Sequence, residues 1–351
     1  MRFDDSARKR AASGNVMLHF AQFGAGRIGA IHAANLAASG RARLAHVVDV
    51  HAPAAAALAA KHGAAVSDTA TALADPKVGA VIIASSTDTH ADLVIAAARA
   101  GKAIFCEKPI DLSLARVNAC LAAVAMAGVP MLVGFNRRFD PSFSEVHRRI
   151  GAGAIGAVEQ VVITSRDPGP PPVSYIKVSG GLFRDMTIHD FDMARWMLLA
   201  GENGQEPTEV FAYGATLVDP AIGEAGDIDS AMVLLKTASG RMAHINNSRR
   251  ASYGYDQRVE VHGSAGRLIA GNRTPTTVEL ADANAVAADK PLHFFLERYA
   301  DAYRIELNAF LDAVANKTPM PVGAEDGRQA LVLADAALDS LRTGRPVKVG
   351  A

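Results

Sequence analysis

The sequence predicts an α/β protein in two parts, the first built on a parallel sheet buried on both faces and the second on a largely antiparallel sheet. Three observations carry this. Between residues 18 and 134, short apolar strand segments alternate with helical stretches, the pattern of βαβ units. From residue 158 onward, strand-like segments instead follow one another across short turns. A length of 351 residues, at roughly 150 per domain, makes about two domains.

The elements follow in order. Leu18–Phe23 is the first strand; it ends at Gly24, and a helix runs from Ile28 to Ala38. Leu44–Val50 is the second strand, followed by an Ala-rich helix over Pro53–His62 with its proline in the first turn. Ala80–Ala84 is the third strand, and His90–Ala100 is a helix that stops at Gly101, a natural C-cap. Lys102–Cys106 is a strand, Ser113–Ala127 a helix and Pro130–Gly134 a strand. The alternation stops between Gly134 and Pro141. Residues 1–16 are therefore expected to be a flexible extension, 17–134 the first domain and 135–351 the second. In the second domain the strand candidates are Val158–Ser165, Glu209–Thr216, Ala231–Lys236, Arg241–Asn247, Gln257–His262 and Arg267–Ala270. Ser239–Gly240 and Gly263–Ser264 carry turn chemistry. Pro168–Pro172 (PGPPP) reads as a stiff surface loop. Asp326–Leu341 is an amphipathic helix ending at Gly344 and Pro346, and it is expected to pack back on the first domain.

Composition narrows the function. Lys plus Arg and Asp plus Glu are 36 each; a zero balance argues against a nucleic-acid coat or a membrane-surface binder, which need a basic excess. Two cysteines, Cys106 and Cys120, make neither a disulfide framework nor a four-Cys zinc site. A reduced, cytoplasmic compartment is the simplest expectation. Residues 1–14 are charged and lack an apolar core, so no secretory signal is expected there. No run of 18 apolar residues occurs, so no transmembrane helix is expected.

Gly24-Ala-Gly26-Arg27-Ile28-Gly29 follows the first strand and opens the first helix. The first glycine permits the tight turn, the second lets backbone approach a pyrophosphate, and the third lets helix and strand pack closely. The helix N-terminus supplies N–H groups and partial positive charge. Asp49 ends the second strand, 20 residues after Gly29, where a carboxylate accepts hydrogen bonds from an adenosine ribose. A carboxylate there repels a 2′-phosphate, and Val50 and His51 supply no Arg or Lys to attract one. NAD is expected over NADP. Ser85, Thr87 and His90 follow the third strand; they suit a cofactor lining and helix N-capping equally well.

With the glycine turn, THADL at 89–93 and AGKAIFCEKP at 100–109, the chain resembles the Gfo/Idh/MocA oxidoreductase family. VGFNRRFDP at 133–141, SGGLFRDMTIHDFDMARW at 179–196 and NNSRRASYGYDQRVEV at 246–261 resemble its inositol-oxidising branch. The resemblance implies an N-terminal Rossmann domain plus a C-terminal α/β domain with an open, mostly antiparallel sheet, which in relatives often forms a dimer or tetramer interface. It implies NAD-dependent oxidation of myo-inositol to 2-keto-myo-inositol. Other cyclitols or aldoses (scyllo-inositol, chiro-inositol, glucose), NAD-dependent glycoside hydrolysis and a nucleotide-sensing regulator are the alternatives. Partners are a small polyol and further copies of the chain.

The resemblance also assigns roles. Glu107 and Lys108 fall at the cofactor, with Lys108 pointing at the reacting oxygen; from the residues alone Lys108 is as well a surface lysine at a turn. Asp185 and His189 lie four apart and share a face if one helix carries both. That spacing by itself fits a surface pair or a capping contact. The resemblance makes His189 the general base and Asp185 its orienting partner and a substrate ligand, with Asp192 as weaker support. Asn136, Arg137, Tyr253 and Tyr299 are further substrate-contact candidates. No metal is expected, because HExxH is missing and no Cys lies near the Asp185–His189 segment.

Overall fold

The structure is a computed structural model that describes residues 17–349; the extension expected over residues 1–16 lies outside them. The chain divides into two compact units.

The first unit comprises residues 17–107, 122–132 and 307–321. Its chain runs β1 (Leu18–Phe23), α1 (Arg27–Ser39), β2 (Ala42–Val48), α2 (Ala52–His62), β3 (Ala65–Val66), α3 (Thr69–Ala74), β4 (Val78–Ile83), α4 (Thr87–Arg99) and β5 (Ala103–Cys106). Helix α5 (Leu114–Ala127) and β6 (Met131–Val133) follow. The sheet order is β3-β2-β1-β4-β5-β6, and the pairs β1–β2, β1–β4, β2–β3 and β4–β5 are parallel. This is the doubly wound order, with the direction of winding reversing between β1 and β4, where such sheets bind ligands. The strands are apolar throughout because helices cover both faces; Phe20, Ala21, Val81, Ile82, Ile83 and Phe105 are wholly buried. The sequence reading passed over β3 and α3. A two-residue exposed strand and a six-residue helix show no usable periodicity.

The second unit comprises residues 108–121, 133–306 and 322–349. A 3₁₀ turn at Asn136–Phe139 leads into α6 (Pro141–Gly151), with Asp140 capping the helix and proline at its first position. Then come β7 (Val158–Arg166), α7 (Val173–Ser179), α8 (Gly181–Asp185), α9 (Thr187–Leu199), β8 (Pro207–Ala215), α10 (Pro220–Glu224), β9 (Ser230–Thr237), β10 (Met242–Ser248), β11 (Asp256–Gly263) and β12 (Gly266–Ala270). A hairpin of β13 (Glu279–Ala281) and β14 (Val286–Ala288), α11 (Phe295–Arg298), α12 (Ala300–Asn316), α13 (Ala324–Thr343) and β15 (Val347–Lys348) complete it. The large sheet has the order β12-β11-β7-β10-β9-β8-β15. Its neighbours are antiparallel except β7 and β10, which run parallel. Helices α9 and α13 pack on one face. On the other, the alternating positions Tyr213, Met232, Leu234, Met242 and Ile269 are between 46% and 67% exposed, so one face of this antiparallel sheet stays open.

The helix read at 326–341 is α13; it packs on β8 and α9 and also meets the 17–134 segment, where Arg328 Nε donates to Asn118 Oδ1 at 2.8 Å. The expected boundaries shift. Residues 307–321 join the first unit instead, where Phe310 packs against Phe20 and Phe105 with ring centroids 6.0 and 5.7 Å apart. The boundary expected at 134 is likewise not a single cut, because 108–121 belongs with the second unit and 122–132 with the first. Among the described residues no helix is long and apolar enough to cross a membrane.

Candidate active site

The first unit builds a dinucleotide cradle. Gly24 has φ of 101°, and a Cβ there would lie 2.3 Å from the Ala84 carbonyl oxygen. A Cβ on Gly29 would lie 2.2 Å from the Gly24 oxygen. Both glycines are fixed by sterics. Gly26, the N-cap of α1, differs: a Cβ there would meet nothing within 4 Å, and no side chain caps the helix. Open space over an uncapped helix N-terminus fits a pyrophosphate. Gln22, wholly buried, donates from Nε2 to the carbonyls of Gly24 and Gly29, both at 2.9 Å, and locks the turn from beneath. Nothing in the local pattern announces Gln22, because a polar residue inside a strand is visible only as an exception.

Asp49 lies against the same turn. Its Oδ2 accepts from the Ala25 N–H at 2.6 Å and its Oδ1 from the His51 N–H at 2.7 Å. Both oxygens retain lone pairs for ribose hydroxyls. Arg27 is exposed and Ile28 half-buried at the start of α1. Ser85 Oγ lies 2.6 Å from Thr89 Oγ1, and buried His90 places Nε2 3.1 Å from the Ser85 carbonyl. Ser86 sits at the N-cap of α4 without a side-chain capping bond, and half-buried Thr87 begins the helix. Glu107 turns inward to His32, Oε1 to Nε2 2.7 Å.

The second unit builds a cluster centred on Asp185. Lys108 Nζ donates to the Asp185 carbonyl at 2.7 Å and stands 3.8 Å from Oδ1. The Tyr175 hydroxyl donates to Oδ1 at 2.9 Å. The Arg249 guanidinium reaches Oδ2 at 3.3 Å, and Arg249 is only 1% exposed. Partial burial and the facing carboxylate raise the Tyr175 phenol far above its ordinary value, which keeps it a donor.

Asp185 and His189 are not hydrogen-bonded to each other. Asp185 ends α8, Met186 divides the two helices, and α9 begins at Thr187. His189 lies edge-on to Phe135, centroids 6.0 Å apart, and its Nδ1 is buried without a hydrogen-bond partner. Burial, then the charges of Lys108 and Arg137, hold its pKa well below the ordinary histidine value. The imidazole is therefore neutral at physiological pH and free to take a proton.

A buried network lies beneath. Arg137 donates to Asp190, which also accepts from Asn247 Nδ2 at 2.8 Å; Arg137 further reaches Ser165 Oγ at 3.2 Å. The Arg137 guanidinium also lies 5.8 Å from the ring centre of Tyr299, which is 2% exposed. Asn136 is buried in the same 3₁₀ turn. Asp192 is 1% exposed and bound by Arg138, Nε at 2.8 Å, so its carboxylate serves Arg138 and is not part of the Asp185 cluster. Tyr253 donates to Asp256 at 2.6 Å and accepts from Arg166 at 3.1 Å. Its neighbour Tyr255, buried and edge-on to Tyr299 at 5.9 Å, shares the field of Arg137, Asp167 and Asp190.

Tyr175, Arg249, Asp167 and Tyr255 were not singled out from the sequence. Tyr255 sits two positions along the same SYGYDQR motif, so the motif was legible and the residue within it was not. Among the described residues no donor is hydrogen-bonded to the Asp167 carboxylate. Burial pushes its carboxyl up to about 6, with Arg249 and Arg137 pulling down and Asp185 and Asp190 pushing up. Among the described residues no group of three or more His, Cys, Asp or Glu is arranged to hold a metal ion.

Comparison with known proteins agrees with this architecture. Residues 18–135 match an oxidoreductase-family model with an NAD-binding Rossmann fold, and residues 143–269 match a GFO/IDH/MocA C-terminal domain model. The chain is 50% identical over 95% of its length, and 99% of the relative's, to an inositol 2-dehydrogenase of Rhizobium meliloti (strain 1021). It is 48% identical over 93% of its length, and 97% of the relative's, to a myo-inositol 2-dehydrogenase of Thermotoga maritima. It also superposes, with a TM-score of 0.87 at 28% identity, on a scyllo-inositol dehydrogenase from Lactobacillus casei with bound NAD(H) and scyllo-inositol, covering 95% of this chain and 100% of that one.

Proposed function

Because the chain belongs to the GFO/IDH/MocA oxidoreductase family, we propose that it oxidises one ring hydroxyl of myo-inositol to the ketone, with NAD as the hydride acceptor. The observation that carries the reading is the pairing of a neutral, half-buried His189 with a Lys108–Asp185 cluster in one unit. Bound at the glycine turn, NAD supplies the hydride-accepting ring. The chain's own residues do the rest. His189 takes the hydroxyl proton and becomes imidazolium. Lys108 donates to the same oxygen as it gains carbonyl character. Asp185 accepts from a neighbouring ring hydroxyl and offsets the charge of Lys108. Asp167 and Tyr255 supply further polar contacts, and Asn136 and Arg137 with Asp190 hold the floor under them. Asp49 selects NAD by repelling a 2′-phosphate.

Purified protein with NAD at mildly alkaline pH is expected to form NADH with myo-inositol, with little on glucose and slower reaction with NADP. A panel including scyllo- and chiro-inositol identifies the preferred stereoisomer. No NADH with any polyol, while NAD still binds, overturns the reading.

The Asp167 carboxyl gives a pH signature. With its pKa pushed up to about 6, it is neutral below that pH and a strong acceptor above it. His189 is already neutral there. kcat/KM for the polyol is expected to rise as pH passes upward through about 6, and Asp167→Asn removes that limb. A limb that survives in Asp167→Asn detaches it from this carboxyl.

The open sheet face is read as the contact between copies of the chain. It presents Tyr213, Met232, Leu234 and Met242 to solvent in the isolated chain, an apolar area of the kind that marks interfaces. A single-chain mass by light scattering overturns it.

A further inference from the structure

We propose that Tyr175 is a substrate-contacting residue that selects among cyclitol stereoisomers, delivered to the Asp185 carboxylate by the short helix α7. This deepens the proposed function and rests on it.

Three observations carry it. The Tyr175 hydroxyl sits 2.9 Å from Asp185 Oδ1, on the same residue whose carbonyl holds Lys108 and whose Oδ2 faces Arg249. Tyr175 is 46% exposed, whereas Arg249 is buried and the side chains of Lys108 and Asp185 are 16% and 14% exposed. The phenol is therefore the member of the cluster that reaches furthest toward solvent, where a polyol arrives. Third, α7 is set off from its surroundings at both ends. The Pro168–Pro172 segment precedes it, and Gly180 and Gly181 follow with φ of 86° and 81°. Gly180 and Gly181 together allow the chain to turn sharply after α7, where residues with a Cβ would be strained.

The chemistry follows from the inventory of a phenol. With its proton donated to Asp185, the oxygen retains lone pairs. It can accept from a ring hydroxyl next to the one Asp185 binds. Asp185 and Tyr175 then read two neighbouring hydroxyls from fixed directions. Inverting one of them, as between myo- and scyllo-inositol, leaves one of the two contacts unmade. A polar site deprived of its partner discriminates more sharply than an apolar pocket does.

The test compares wild type with Tyr175→Phe across myo-, scyllo- and chiro-inositol. KM for the preferred isomer is expected to rise about 10-fold, the scale of one lost hydrogen bond to a charged cluster. kcat is expected to stay within about twofold. The ratio of kcat/KM between the preferred isomer and its epimers should fall by a similar factor, with KM for NAD unchanged. A merely structural role would move NAD and all polyols together and leave the isomer ratio alone. If Tyr175→Phe fails to bind NAD, Tyr175→His, which keeps a donor, carries the same comparison of isomer ratios. Unchanged KM and unchanged isomer ratio in an active variant overturn the role of Tyr175 and leave the proposed function standing. Wild type that turns over no cyclitol overturns both.

Discussion

His189→Ala lowers kcat for polyol oxidation by about 100-fold or more, the usual contribution of a positioned general base, while NAD binds as before. The structure explains why no neighbour substitutes. Lys108 Nζ is engaged by the Asp185 carbonyl at 2.7 Å and serves as a donor. The Asp185 oxygens already face Tyr175, Lys108 and Arg249. His189 is neutral in the resting state, and its Nδ1 is left without a hydrogen-bond partner. The cofactor residues Gly24–Gly29 and Asp49 belong to the other unit, so NAD affinity, followed by fluorescence titration, serves as the internal control. A variant within about threefold of wild-type kcat removes His189 from the base role.

Arg298→Met destabilises the protein by about 3–5 kcal/mol, the cost of leaving one member of a buried ion pair alone. Arg298 is 1% exposed and Asp140 wholly buried, and the two are hydrogen-bonded. The Arg298 guanidinium also lies 4.9 Å from the ring centre of Tyr299 and 5.2 Å from that of Phe143. Asp140 caps α6 through the N–H groups of Ser142 and Phe143, which retain part of its compensation and place the expected loss toward the lower figure. The measurement is the urea midpoint against wild type. The companion double variant, Asp140→Asn with Arg298→Met, recovers most of the loss, because no charge is then left buried without a partner. A single variant within about 1 kcal/mol of wild type shows that the pair does not carry the stability its burial implies.

The glycine turn and Asp49 were legible because their requirements are local. A left-handed φ at Gly24 and a close backbone approach at Gly29 are properties of a few consecutive residues, and the ladder of apolar strands repeats with a period any window can see. The antiparallel sheet was legible from strand segments following one another across short turns, whereas its open face, seen in the alternation of β9, was expected from the resemblance alone. The exceptions were equally physical. The two-residue β3 is too short to show a period. The 17-residue α12 lies partly in each unit, so its apolar positions answer to two different surroundings.

Residue identity in the polyol site was only half legible. The motifs fell in the right places, but the directions of their side chains did not follow from spacing. The four-residue interval between Asp185 and His189 spans the junction at Met186 that divides α8 from α9. Of the two tyrosines in SYGYDQR, Tyr253 turned to Arg166 and Asp256, and Tyr255 to Tyr299. Asp192 went to Arg138. Tyr175 and Arg249 met Asp185 across 10 and 64 residues of chain. By itself the sequence determined the fold class, the dinucleotide turn and the set of chemically able residues, since these depend on periodicity and on backbone sterics within a few residues. Only the tertiary structure decided which carboxylate faces which cation and which imidazole is left neutral. Those outcomes depend on burial and on partners brought together from distant parts of the chain, and no local window contains them.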